Sequence, residues 1–248
     1  MRRVALRAES FRAMSSLSRQ EHISSSLSSV LSAIKSASSS PVRLVAVSKH
    51  ISPEDIRSAY SAGQRHFGEN YIQELIAKSA NLPNDIKWHF IGALQSNKCK
   101  LLVEKVKNLW CVETLDSDKK ARLLESGAAA IERDELLKVF VQVNTSGEQR
   151  ITQVYVCLIL EKAGVAPEDV GSLVKYVREQ CPHLEFSGLM TIGSADASHL
   201  AQEEQTNPDF QVWLHLPSLM IEAEGCEREF IKRDTRSGEC RIKHGHER

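Results

Sequence analysis

Apolar and polar positions along the chain switch between two periods. Short β-branched or aromatic runs stop at polar residues, and each is followed by a longer stretch in which apolar residues return every three or four positions. The first run carries Val42, Leu44, Val45 and Val47 and ends at Ser48-Lys49-His50. It predicts a buried strand and a short loop, then a helix with Ser52 as N-cap, Pro53 at its first position and Gly63 closing it. Residues 65–70 predict a second strand, and Ile72, Leu75 and Ile76 the apolar face of the helix after it. Leu82-Pro83-Asn84 breaks the chain before a third strand over 86–91, which carries Trp88 and His89, and a helix over 95–106. Strands four and five fall at 109–114 and 139–143, with a helix over 117–130 between them. A helix over 167–180, with Val170, Val174 and Val177 on one face, leads into a sixth strand at 184–190. Upstream, Ile23, Leu27, Leu31 and Ile34 recur at helical spacing and predict an amphipathic helix packed on the domain.

Strands alternating with helices of ten or more residues form right-handed βαβ units around a parallel sheet. Six such units in 248 residues predict an α/β fold of the (β/α)8 TIM-type barrel class rather than an open doubly wound sheet. No glycine-rich phosphate loop follows the first strand, which argues against a dinucleotide or nucleotide site. Composition adds exclusions. Thirty-two basic residues balance thirty-two acidic ones, so no global field recruits nucleic acid or an anionic membrane. The longest apolar run, Val154 to Leu160, is far below the roughly 20 residues of a membrane span. Six cysteines without a Cys-x-x-Cys pair fit a reducing compartment and give no zinc site, and His244 and His246 in the polar tail read as solvated. Residues 1–40 are rich in Ser and Arg, and 1–16 are expected to be a disordered or targeting segment; a cytoplasmic location is expected, with a mitochondrial one as the alternative that this N-terminus raises.

The candidate chemistry centres on Lys49. An amine at the C-terminal mouth of a strand stands where ligands bind in parallel α/β folds, and there it can condense with a carbonyl to a Schiff base. A partly desolvated position would favour the neutral, nucleophilic form. From this stretch alone, a solvated lysine just past a strand is the favoured reading.

Five ordered segments extend the picture: Leu-Val-Ala-Val-Ser-Lys (44–49), Phe-Gly-Glu-Asn-Tyr-Ile-Gln-Glu (67–74), Trp-His-Phe-Ile-Gly-Ala-Leu-Gln-Ser-Asn-Lys (88–98), Val-Asn-Thr-Ser-Gly-Glu (143–148) and Gly-Leu-Met-Thr-Ile (188–192). In order and spacing they resemble the pyridoxal phosphate homeostasis protein family, single-domain relatives of the alanine racemase N-terminal barrel. The resemblance covers about 20–148 and 162–213, and it implies pyridoxal 5'-phosphate as cofactor, held as a Schiff base on Lys49. It further implies Asn70 near the cofactor, His89 facing the pyridine ring, and Met190 and Thr191 lining the same mouth. The implied role is intracellular vitamin B6 homeostasis without efficient catalysis, by a monomer that hands cofactor to apoenzymes. A racemase-like enzyme and a cofactor-impaired splice product are the alternatives.

Two stretches depart from the family. Residues 150–161 form an apolar insert before Lys162-Ala163-Gly164, and the family pattern stops after about 213. The barrel domain is therefore placed at 17–216, with 217–248 an atypical polar tail in which Thr235-Arg236-Ser237 and Arg241-Ile242 only faintly echo the family's phosphate-binding segment. The last two barrel units are expected to be missing or altered, leaving the first and sixth strands as sheet edges.

Overall fold

A computed structural model describes residues 2–145 and 164–192, together with two short strands near the C-terminus; for residues 2–17 and those two strands it describes the backbone alone. Six strands, β1 (Ala46–Val47), β2 (His66–Glu69), β3 (Lys87–Phe90), β4 (Leu109–Leu115), β5 (Leu137–Val143) and β6 (Leu184–Thr191), form one sheet. They lie in chain order and every neighbouring pair is parallel, as the alternating pattern predicts. The helices are α1 (Arg2–Ala37), α2 (Pro53–Ser61), α3 (Ile72–Asn81), α4 (Cys99–Lys105), α5 (Asp118–Ala129) and α6 (Val170–Gln180). Short 3-10 turns at Ser96–Lys98 and Pro167–Asp169 lead into α4 and α6.

The remaining strands, β7 (Ile231–Asp234) and β8 (Glu239–Ile242), pair antiparallel with each other in a separate sheet. The tail, expected to be polar and atypical, thus contains two antiparallel strands, and within the described sheet β1 and β6 are edges. The 150–161 insert and Thr235-Arg236-Ser237 lie outside the described residues. The backbone on either side of residues 146–163 is paired, because the Asn144 amide donates to the Val165 carbonyl at 2.9 Å and the Val165 amide to the Gln142 carbonyl at 2.8 Å. Gly164, at φ 145°, makes this possible: a Cβ there would stand 2.7 Å from the Asn144 nitrogen.

Each strand turns alternate residues to the helices. Phe67, Trp88, Phe90, Val112, Val139 and Val141 meet Ile56 of α2, Leu75 of α3, Leu102 of α4, Leu124 of α5 and Val174 of α6 in one buried cluster. Two elements depart from expectation. β1 is two residues long rather than the predicted run from Val42, because among the described residues it has one partner strand and Val42 is exposed. The backbone of α1 is helical from Arg2, across the boundary expected near residue 16. Ile23, Leu27 and Ile34 are half-buried as predicted, but Leu31 is exposed. The helix is tied to α2 by Arg19, whose guanidinium bonds the Asp55 carboxylate at 2.8 and 3.1 Å. Its serines are satisfied locally, with Ser28, Ser29 and Ser36 each donating to the carbonyl four residues back.

The other face of the sheet carries a polar layer near the strand starts. His66 Nδ1 and His89 Nε2 are 2.8 Å apart, and His89 Nδ1 lies 2.5 Å from Glu113 Oε1. With Glu113 ionised, His89 donates through Nδ1 and accepts from His66 through Nε2. Trp110 packs against both rings, at centroid distances of 4.9 and 4.8 Å, and the Arg43 guanidinium lies 4.4 Å over its face. Lys138, also near Trp110, pairs with Glu185. Burial, reinforced by the positive surroundings of His89, Arg43 and Lys87, pulls the His66 pKa from 6.5 down to about 4.

Two measurements check this architecture. Leu102→Ala empties a fully buried site and is expected to destabilise the chain by about 2–5 kcal/mol in urea unfolding. The depressed His66 value means that, between pH 6.5 and about 4, the unfolded chain binds a proton that the folded chain refuses. Stability from this group is complete above pH 6.5 and is lost as pH falls toward 4. His66→Phe should flatten that part of the stability profile, and an unchanged profile would exclude the assignment.

Candidate functional site at the C-terminal edge of the sheet

β1 ends at Val47, and the next residue, Ser48, still pairs with the sheet: its amide donates to the Gly68 carbonyl at 2.9 Å. The chain then turns, with the Ile51 amide donating to the Ser48 carbonyl at 3.0 Å, and His50 adopts φ 61°. A left-handed conformation at a residue other than glycine costs of order 1 kcal/mol or more, and it persists only where the surroundings fix it. Ser52 begins α2 by accepting the Asp55 amide on its hydroxyl, as the sequence predicts.

Strand alternation decides which side chains reach this mouth. Val45 packs beside Gly68 and Ile91 on the face away from the helices, and the same alternation turns Val47 and Lys49 to that face. Asn70, two residues past Gly68, joins it. Lys49 itself is exposed, which corrects the expectation of a partly desolvated amine: β1 is an edge strand, and only β2 flanks it in the described sheet. Asn70 is wedged against the turn after β3. A Cβ on Gly92 would stand 2.1 Å from the Asn70 carbonyl oxygen, so only glycine permits the approach. The Asn70 side-chain oxygen is buried and has no hydrogen-bond partner among the described residues.

The other expected residues divide. Met190, opposite Gln142 in β5, is half-buried and turned by alternation to the Lys49 face. Thr191 shares the opposite face with Leu189 and Val143; its hydroxyl donates to the Val143 carbonyl at 3.2 Å and lies 2.7 Å from the Thr145 hydroxyl. His89 is 1% exposed, sits below the mouth at the level of Gly68, and has both ring nitrogens engaged by His66 and Glu113. Its ligand atom, that of Glu113 and the Cys111 thiol lie within 4.8 Å of one another. Burial, reinforced by the Glu113 charge, raises the Cys111 pKa well above its ordinary value, so the group is knit by hydrogen bonds with a protonated thiol.

A polar group that sequence reasoning left unassigned lies directly behind Lys49. Lys78 of α3 is buried, and its ammonium donates to the Ser48 carbonyl at 2.6 Å, to Glu69 Oε1 at 2.7 Å and to Glu74 Oε1 at 2.7 Å. Ser48 Oγ also donates to Glu69 Oε1, at 2.6 Å, and the His50 amide donates to Glu74 Oε1 at 2.7 Å. Burial opposes the charge on Glu74, yet hydrogen bonds from Lys78 and the His50 amide keep its pKa below the usual carboxylate value. The visible signal was the Glu74, Lys78 spacing of four residues on a predicted helix, which a solvated surface pair shares.

Comparison with known proteins converges on one family. The alanine racemase N-terminal domain family matches residues 24–225. A pyridoxal phosphate homeostasis protein of Schizosaccharomyces pombe is 48% identical over 178 residues, 72% of this chain and 68% of the relative. The human protein of that name is 44% identical over 179 residues, 70% of this chain and 60% of the relative. Across these two, the matched part thus spans about two thirds of the relative's length. Among solved structures, PipY of Synechococcus elongatus with pyridoxal phosphate bound is 31% identical, with a TM-score of 0.54 over 80% of this chain and 85% of that one. Alanine racemase from E. faecalis, 16% identical with a TM-score of 0.52, shares the fold over 81% of this chain and 48% of its own. The chain belongs to the alanine racemase N-terminal domain family and, within it, to the pyridoxal phosphate homeostasis proteins.

Proposed function

We propose that this chain binds pyridoxal 5'-phosphate at the C-terminal edge of its sheet, through Lys49, and serves intracellular vitamin B6 homeostasis as a carrier. The observation that carries the reading is the placement of Lys49, exposed at the end of β1 and turned by alternation to the same face as Asn70 and Met190. Relatives named for this role and a PipY structure containing the cofactor support it. The residues present fit the group: a primary amine stands at the mouth, and the Asn70 side-chain oxygen on the same face is buried with no hydrogen-bond partner among the described residues. Pyridoxal phosphate supplies an aldehyde carbon that a neutral primary amine attacks, forming a C=N bond with loss of one water.

Asn70, held by Gly92, offers its amide to a polar group of the ligand, and Met190 supplies an apolar wall. His89 supports the floor of the site by fixing Glu113 and His66 below it, rather than by offering a free nitrogen. Thr191 ties the end of β6 to β5. Carriage without efficient turnover is the finer part of the proposal. Proton transfer at substrate carbon needs a base within reach, and the two carboxylates beside the Lys49 turn, Glu69 and Glu74, are both committed to Lys78. Exposure of Lys49 favours exchange of the bound aldehyde with an acceptor apoenzyme.

Titration of the purified chain with pyridoxal phosphate, followed by borohydride reduction and peptide mapping, tests this. The expected result is one stable adduct on Lys49, with Lys49→Ala falling to the background of surface lysines while melting unchanged. Equal labelling of both proteins would overturn the assignment. Cooperative melting without any Lys49 adduct would favour the cofactor-impaired alternative, and a sustained racemase rate abolished by Lys49→Ala would overturn the carrier role.

A further inference from the structure

We infer that Glu74 and Lys78 are positioning residues for Lys49, forming with Glu69 a clamp on the two peptide groups that flank it. The inference rests on the reading of Lys49 as the cofactor amine. One flank is the Ser48 carbonyl, which accepts from the Lys78 ammonium at 2.6 Å, and the other is the His50 amide, which donates to Glu74 Oε1 at 2.7 Å. Lys78 also bonds Glu74, so a single ion pair spans both flanks and closes a ring around the Lys49 backbone. The lysine stem is left outside that ring, and the amine reaches solvent.

Three features argue that the clamp serves placement. A buried ion pair is a weak source of stability, since taking both charges from water offsets most of their attraction, and apolar residues of similar volume often do as well. Lys78 and Glu69 are nevertheless among the most buried charged groups described, at 5% and 0% exposed. The residue next to Lys49 is held in a left-handed conformation, and its amide is the one Glu74 grips. Finally, an ammonium has three donors, and Lys78 uses all three, on the Ser48 carbonyl, Glu69 and Glu74. The second amine near the mouth thereby has its donors engaged inside the fold, so the clamp also directs an aldehyde to Lys49.

The test compares Glu74→Ala with Glu74→Gln, whose amide oxygen still accepts from His50. Glu74 is partly exposed, which makes both changes compatible with folding. Two readouts are taken on each: hydrogen exchange of the His50 amide, which needs no cofactor, and the equilibrium for pyridoxal phosphate adduct formation at Lys49. In Glu74→Ala the amide should exchange roughly tenfold faster and the adduct weaken roughly tenfold, the equivalent of one charge-assisted hydrogen bond, with both largely restored in Glu74→Gln. A faster amide with an unchanged adduct would reduce the clamp to a structural role and overturn the inference. An unchanged amide would overturn it too. Should Glu74→Ala not melt cooperatively, the double variant Glu69→Gln with Lys78→Met removes the buried charges together and is read the same way. Absence of any Lys49 adduct in the unaltered chain would sink the cofactor reading and the clamp with it, whereas an adduct indifferent to these variants sinks the clamp alone.

Discussion

The contact on which the mouth of this fold depends is the Lys78 ammonium seated between Glu69 and Glu74. It joins three elements. Glu69 is the last residue of β2, Lys78 belongs to α3, and the Ser48 carbonyl lies just past the two-residue strand β1. An edge strand of two residues makes few ladder bonds, so its position is set by what grips the chain just beyond it. Removing one member would strand a charge in a site without water, which is far costlier than the pair is worth when intact. The α3 helix thus acts through one side chain as the brace of β1.

The two faces of the sheet are held by different physics. Toward the helices, aliphatic and aromatic residues pack into one cluster whose stabilisation follows buried area. Toward the opposite side, His66, His89, Glu113 and Trp110 form a hydrogen-bonded and ring-packed layer. Such a layer specifies geometry strongly, because a displaced ring leaves a buried polar atom unpaired. Above this floor stand Lys49, Asn70 and Met190, so an exposed lysine is set over a hydrogen-bonded base.

The elements themselves were legible because each announces itself locally. Ser52-Pro53 marks a helix start, Leu82-Pro83-Asn84 a break, and the β-branched runs of β4 and β5 the middle of a buried sheet. Parallel order followed from the alternation of strands and helices. Less local properties were not legible. The brevity of β1 depends on its having one partner strand among the described residues, and Val42 carries no mark of its exposure. The Lys49 environment depends likewise on what flanks β1, so the expected desolvation did not materialise. His89 looks in sequence like any histidine on a strand; only the sheet register brings it to His66 and Glu113. The Lys78 partnership is a tertiary event behind a helical spacing that hundreds of solvated pairs share.

The junction between Asn144 and Val165 bears on how this chain tolerates change. The residues that flank 146–163 meet at one point, where the backbone of 142–144 and that of 165 are hydrogen-bonded and Gly164 allows the close pass. Lengthening a segment closed between two such anchors adds only the slowly growing entropy of a larger loop. Added length between Asn144 and Val165 therefore weighs little on the pairing of β5 with β6.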